Sequence, residues 1–462
     1  MSLFRKKDIV SDDCQGNALR RCLSGFDLML LGIGAIIGAG IFVLTGVVAA
    51  TKAGPAIVIS YIIAGLACLF SALSYAELAT VIGGCGGAYG YAYVGFGEII
   101  AWVVGWDLLL EYSITISTVA VGWSSYVKSL LQSMHLNMSN VIHLTSKVTI
   151  DVFALGIISV IGGLLIFGVR SSTRFNNIIV GVKLLVILLF VIVASMHIEP
   201  SNWSPFMPFG WMGVAQGASL IFFAYIGFDA VSTTAEEVVN PQRNLPIGIV
   251  GSLSVSTLLY IIIAGLLTGM VSYKQLNVAS PISDALLSIG FKAAAGVVSV
   301  GALAGLTTGM LVLSYGLSRI FYAIARDGLL PTYFAKVNDK THTPVRIIVL
   351  CVILMGLISS LLPISILAQL LNIGTLVAFT VVCTGVLILY YTRPDLKRPF
   401  RTPCMPYVPI MGIITCIYLI ANLPMLTLMR FVIWFIVGMT IYFAFGRKNS
   451  ALEIKKRFKA AK

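Results

Sequence analysis

Charge is what this 462-residue sequence has least of: 11% of its residues are Asp, Glu, Lys or Arg, against roughly a quarter in soluble domains. A chain so poor in charge cannot cover a water-facing surface, which excludes a soluble globular protein. Histidine is scarce as well. The four present, His135, His143, His197 and His342, fall between the apolar windows, which argues against a metal centre inside the membrane. The eight cysteines, at 14, 22, 68, 85, 351, 383, 404 and 416, form no C-x-x-C pair and read as small apolar fillers, without disulfide or metal roles. Neither H-E-x-x-H nor G-x-S-x-G occurs, so nothing points to an integral-membrane enzyme, and no cofactor is expected. The polar, basic stretch 1–25 lacks a cleavable signal pattern, so the first apolar window is expected to act as its own insertion signal.

What is present in excess is hydrocarbon. Hydrophobic residues make up 58% of the chain and mean hydropathy is +0.98. About 20 apolar residues cross the roughly 30 Å bilayer core. Windows of that kind fall near 26–51, 55–82, 98–131, 150–169, 176–196, 212–237, 247–271, 293–324, 345–362, 364–392, 408–427 and 430–446. Twelve spans predict a multi-pass protein of the cell (inner) membrane, in contact with lipid. With the amino terminus in the cytoplasm, 24 of the 31 Lys and Arg lie inside, six outside and one, Lys183, within a span. By the positive-inside rule both termini are then cytoplasmic. The same asymmetry accounts for the net charge of +13 without nucleic acid as a partner.

Glycine marks the stretch that stands out. Gly32, Gly34, Gly38 and Gly40 lie within nine residues of the first span, where each costs a helix about 1 kcal/mol relative to alanine. The spacing predicts a break at Gly38-Ala39-Gly40. A half-helix starting near Ile41 then aims N–H groups at an anion, and one ending near Ile37 offers carbonyls to a cation. The alternative is a small-residue face for close helix packing. A second broken segment, Ser219 to Asp229, follows five spans later. Two breaks at matching positions predict inverted repeats with a midplane site.

Between spans two and three, Gly83 to Tyr93 reads as a flexible turn and a short interfacial helix. Ser318 to Leu329 reads as an amphipathic surface helix, and His197 to Trp211 as an extended outer connector.

The motifs Gly34-Ala35-Ile36-Ile37-Gly38-Ala39-Gly40-Ile41-Phe42, Gly54-Pro55-Ala56, Ser74-Tyr75-Ala76-Glu77-Leu78 and Phe223-Ala224-Tyr225-Ile226-Gly227-Phe228-Asp229 carry a family resemblance. They are joined by Glu236-Glu237, Asn240-Pro241 and Arg319 to Pro331. Over nearly its whole length the chain resembles the amino acid–polyamine–organocation transporters, and among them the bacterial relatives of the cationic amino acid transporters. The resemblance implies an all-α integral membrane protein of twelve transmembrane helices with the LeuT-type five-plus-five inverted-repeat fold, helices one and six being broken. The divisions are then a cytoplasmic segment 1–25, a first repeat 26–196, a second repeat 212–392, helices eleven and twelve at 408–446, and a basic tail 447–462.

It further implies secondary transport of L-amino acids. The substrate carboxylate would meet N–H groups around Gly38, Ala39 and Gly40. The ammonium would meet carbonyls near Ile36, Ile37, Phe223, Ala224 and Ile226, with Phe228 closing over the substrate. The sequence departs at Ala39, where relatives often carry Ser or Thr, and at Ile82-Gly83, where a Pro is often seen.

An amine as deep as Lys183 is expensive and a functional candidate by default, able to gain and lose a proton during a cycle. In related transporters a lysine at this place looks like a stand-in for sodium, bridging spans one, five and eight. The expected coupling ion is therefore the proton. The alternative for Lys183 is a fixed charge that pins span five to span one. Asp107 and Glu111, four apart on span three, share a helix face. Glu111 is the proton-pathway candidate and Asp107 a structural partner. Glu77 and Asp229 read as caps or cross-links, and Glu236 and Glu237 as an inner gate or a solvated helix end. Side-chain selectivity is assigned to Ile114, Ser117, Thr118, Leu313, Ser314 and Asn372. None of these is acidic, so small or apolar amino acids are favoured over cationic ones. Obligate exchange and sodium symport are the rival mechanisms, and a channel is the rival class.

Overall fold

The computed structural model describes residues 5, 23–82, 87–133, 141–145, 148–167, 173–232, 238–278, 280–338, 343–361 and 364–454. Helix is imposed by the bilayer, because a spanning segment must satisfy its own backbone. The first span opens at a capping box. The Ser24 hydroxyl accepts from the Asp27 amide at 3.2 Å, while the Asp27 carboxylate accepts from the Ser24 amide at 3.1 Å. Helix α1 (Gly25–Ile36) follows. Ile37 then turns to an extended conformation at φ −74°, ψ 95°. The chain resumes as a π turn Gly40–Leu44, an α turn Thr45–Val48 and a second π turn Ala49–Ala53. The break thus starts at Ile37, slightly earlier than the glycines alone suggest, because the wide π turn already takes in Gly40.

Helices α2 (Ile57–Val81), α3 (Gly87–Gly95), α4 (Glu98–Ser133), α5 (Val152–Ile166) and α6 (Thr173–Ser195) complete the first half. Helix α7 (Gly210–Ile221) ends in a 3₁₀ turn Phe222–Tyr225, and Ile226 (ψ 132°) with Gly227 (φ +127°) separates it from α8 (Phe228–Ser232). Then come α9 (Pro241–Met270), α10 (Pro281–Ser288), α11 (Lys292–Arg326), α12 (Val345–Leu361), α13 (Ile364–Thr392), α14 (Tyr407–Ala421) and α15 (Met425–Ile441).

Among the described residues seven helical runs are long and apolar enough to cross a membrane, and Val152–Ile166, Val345–Leu361 and Tyr407–Ala421 are shorter apolar helices. The core lies where α1, α8, α9 and the two breaks meet α4 and α11. One exception to an all-helical chain is an antiparallel hairpin, β1 (Val141–Thr145) with β2 (Val148–Asp151). It delivers Asp151 to cap α5, accepting from the Ala154 amide at 3.0 Å and the Ser124 hydroxyl at 2.7 Å.

The short helix expected after the glycine turn is α3, and its Tyr89, Tyr91 and Tyr93 are buried against the protein, Tyr89 donating to Asp327 at 2.8 Å and Tyr93 to Glu98 at 3.2 Å. Residues 318–326 are no separate surface helix: α11 runs straight through them with Ile320, Phe321, Ala323, Ile324 and Ala325 buried. The connector 197–211 contains the short turn Pro200–Trp203, anchored on α9 by the Trp203 indole on the Gly265 carbonyl at 3.2 Å. Gly83 to Gly86, Glu236 and Glu237, and most of the amino-terminal and tail segments lie outside the described residues.

Candidate functional site

The two breaks face each other at very short range. A Cβ placed on Gly40 would sit 2.3 Å from both Cα and Cβ of Ala224, so only glycine allows this approach. Gly227 is equally confined, at positive φ and with a Cβ 2.9 Å from the Ala35 carbonyl carbon. Gly38 is the opposite case: a Cβ there would meet nothing within 4 Å, so the first break opens onto free space at that residue.

Breaking two helices creates four ends, and the residues that meet them differ in kind. At the carboxyl end of α1 the Lys183 ammonium, from α6, donates to the carbonyls of Gly34 at 3.0 Å and Ile37 at 2.7 Å. Its aliphatic stem passes Gly305 of α11, where a Cβ would lie 2.5 Å from Lys183 Cε. Lys183 is 1% exposed, so its amine is held wholly inside the protein between α1, α6 and α11. At the amino end of α8 the Asp229 carboxylate accepts from the Gly227 amide at 3.1 Å and the Tyr112 hydroxyl at 2.8 Å. A cation thus meets a partially negative end and an anion a partially positive one.

The other two ends meet neutral groups. Tyr260 of α9 places its hydroxyl 2.8 Å from both the Ile36 and the Ala224 carbonyl oxygens, tying the breaks together. A hydroxyl carries one hydrogen, so only one of these carbonyls receives it at a time. The Asn372 amide donates to the Ser219 and Leu220 carbonyls at 2.7 and 2.9 Å. Thr45 donates to the Gly40 carbonyl at 3.2 Å and lies 2.6 Å from the Tyr61 hydroxyl. The amides that open the half-helix at Gly40 have no partner inside it, as at any helix start.

The structure therefore brings Ile36, Ile37, Gly38, Ala39, Gly40, Phe223, Ala224 and Ile226 together. Ile37 carries Lys183 on its carbonyl, and the Phe223 carbonyl accepts the Ile226 amide at 3.1 Å. Phe228 is buried at the start of α8, edge-on to Tyr75 at 5.8 Å and tilted against Phe379 at 5.0 Å between ring centres. Leu313 belongs to the face of α11 on which Gly305 meets Lys183, Gly309 meets the Gly34 carbonyl and Gly316 meets Tyr112. Glu111 is 2% exposed and precedes Tyr112, whose hydroxyl holds Asp229 at 2.8 Å. Glu77 lies elsewhere, holding Arg398 at 3.1 Å and the Thr402 amide at 2.8 Å.

Three of the expected side-chain liners have protein partners or neighbours of their own. Asn372 caps α7 with its amide. Ser117 donates to the Met355 carbonyl of α12 at 3.2 Å, and Ser314 lines a small cavity with Met355, Cys351 and Leu165. Tyr260, Gly305 and Thr45 were missed, because a lone residue in an apolar window carries no signal of the distant break it serves.

The amino acid permease family model matches residues 23–445. This chain belongs to that family. It is 48% identical to a methylthioribose transporter of Bacillus subtilis, over 98% of this chain and 99% of the relative. It is 45% identical to a branched-chain amino acid permease of the same organism over the same shares. To mouse cationic amino acid transporter 4 it is 37% identical over 84% of this chain and 62% of the relative. The chain is thus a multi-pass membrane permease of the amino acid–polyamine–organocation superfamily, related to the cationic amino acid transporters.

Proposed function

We propose that this permease carries L-amino acids across the cell membrane by proton symport and alternating access, through twelve spans of the LeuT-type inverted-repeat fold with both termini cytoplasmic. The observation that carries the reading is the division of the four half-helix ends. The inner two already have their counter-charges, Lys183 and Asp229. The outer two, beginning at Gly40 and ending at Tyr225, have only neutral partners and adjoin the free space beside Gly38. A zwitterion complements them: its carboxylate on the amides of Gly38, Ala39 and Gly40, its ammonium on the carbonyl lone pairs left at Ile36, Phe223, Ala224 and Ile226. Ile37, already bonded to Lys183, contributes less.

Phe228 closes over the substrate and Leu313 meets its side chain. No acidic partner for a cationic side chain stands on that face of α11, so small or apolar amino acids are favoured. The branched-chain permease relative supports the same class. Lys183 and Glu111 supply the coupling. A buried amine seated on the break exchanges its proton with the substrate cycle, where a sodium ion would otherwise be needed. Methylthioribose is a second candidate substrate, on the strength of the 48% identical relative.

The test is uptake by proteoliposomes of labelled L-amino acids and methylthioribose, without sodium, with and without an inward proton gradient, for wild type and Lys183→Ala. Saturable uptake of apolar amino acids, stimulated by the gradient in wild type only, is the expected result. Uptake that requires preloaded amino acid and ignores pH would make the protein an exchanger.

A further inference from the structure

Outside the breaks, the densest group of unsatisfied polar atoms lies in the seam between α4 and α13. Both carboxyl oxygens of Asp107, both of Glu111, the Asn372 Oδ1 and the Thr375 Oγ1 are buried with no hydrogen-bond partner among the described residues. The four residues are between 0 and 3% exposed. The orientation of Asn372 is fixed, since its Nδ2 must face the two carbonyls it serves and carbonyls only accept. Its Oδ1 therefore needs a donor. The Thr375 hydroxyl faces Glu111, and the titratable groups around that carboxyl are Asp229 of α8, Asp107 and Tyr112 of α4, and Tyr75 of α2. Beside Asp107 stands Gly374, where a Cβ would come within 2.4 Å of the carboxyl oxygen.

Two carboxylates one turn apart, at membrane depth and without cations, do not both persist as anions. With the Asn372 amide committed to its two carbonyls, a neutral acid adds an O–H to a seam in which the Thr375 hydroxyl is otherwise the donor among these four side chains and acceptors outnumber it. We infer that Asp107 and Glu111 form a two-acid relay for the coupled proton, Asp107 being its cytoplasmic member and Gly374 the residue that makes room for it. The inference rests on the symport reading above and gives Asp107 a role that its spacing from Glu111 did not suggest. Adjacent turns place the two groups within reach of one bridging water. With Asp107 emptied first, its own proton having left to the cytoplasmic side, the O–H bond on Glu111 breaks, the bridging water takes that proton and passes one of its own on, and an O–H bond forms on the Asp107 carboxylate. This leaves a carboxylate at Glu111 to be reprotonated from the substrate side. Asp107 lies one turn closer to the Glu98 end of α4, the end that the topology reading places inside.

Asp107→Asn tests this, since the amide keeps the size of the neutral acid and cannot relay. Two readouts are taken in the same proteoliposomes: gradient-driven uptake of an apolar amino acid, and its counterflow exchange at equal pH. The relay predicts that counterflow continues while gradient stimulation falls at least about tenfold. Gly374→Ala, which displaces the carboxyl, is expected to repeat the pattern. Full gradient-driven accumulation in Asp107→Asn would overturn the inference, and so would equal loss of both readouts, which marks a structural role. Wild type without gradient stimulation would overturn the symport reading itself.

Discussion

The two breaks look alike as sequence, each a run of small and apolar residues around a glycine, yet they are stabilised in opposite ways. The first takes a cation on its carbonyls, delivered by Lys183 from α6. The second takes an anion on its amide, delivered by Asp229 two residues along the same chain. Helix polarity explains the difference. In each case one half-helix receives the charge: α1 ends at its break and presents carbonyls, whereas α8 begins at its break and presents N–H groups. A local carboxylate can reach a helix start, as any capping residue does. A carbonyl end has no comparable local donor in an apolar segment, so its partner comes from another span.

The sharpest way to break this comparison is to remove each charge in turn. Lys183→Ala leaves two carbonyls without their donor inside the membrane and is expected to lower proton-driven uptake by roughly a hundredfold. Asp229→Asn keeps an acceptor for the Gly227 amide and should lose only about tenfold. Equal losses in initial-rate assays would mean that the breaks do not differ in the way proposed.

Glycine gives the next test. Gly40→Ala drives a Cβ into the Ala224 backbone and should destabilise the fold by about 1–3 kcal/mol, read as a lower melting temperature in detergent. Gly38→Ala enters open space and should leave that temperature unchanged while raising KM. If both variants melt like wild type, the close approach is not required.

The smallest effect belongs to the residue shared by both breaks. Tyr260→Phe removes one neutral hydrogen bond, a net loss of about 1 kcal/mol. It should raise KM by a few-fold with Vmax nearly constant. A fall in Vmax with KM unchanged would make Tyr260 a hinge, and not a contributor to binding.

Much of the architecture was legible before any coordinates. Apolar windows of bilayer length are set by the solvent, and among the described residues seven helical runs are long and apolar enough to cross a membrane, with three shorter apolar helices beside them. Four glycines in nine residues announced the first break to within a residue or two. Lys183 stood out because an amine in an apolar window has no bland explanation of equal weight. The liners were less legible. Ser117, Ser314 and Asn372 were assigned from their position along a helix, but rotation about the helix axis decides what they face. The surface helix expected at 318–329 failed for the same reason: its charged residues suggested water, while Tyr89 and the carboxyl-terminal segment cover it, the Ala451 amide donating to the Asp327 carbonyl at 3.0 Å.

The sequence by itself determined that this is a multi-pass membrane protein, where the apolar windows near 26–51 and 212–237 are interrupted, and that one lysine is buried among apolar residues. These follow from local quantities, hydropathy over a window and glycine over a turn. Only the tertiary structure decided which carbonyls Lys183 holds, that Tyr260 joins the two breaks, and that Gly305 and Gly374 make room for a lysine and a carboxyl from other helices. Those facts depend on contacts between residues from 36 to more than two hundred positions apart, and a contact at such separations leaves no local pattern in the sequence.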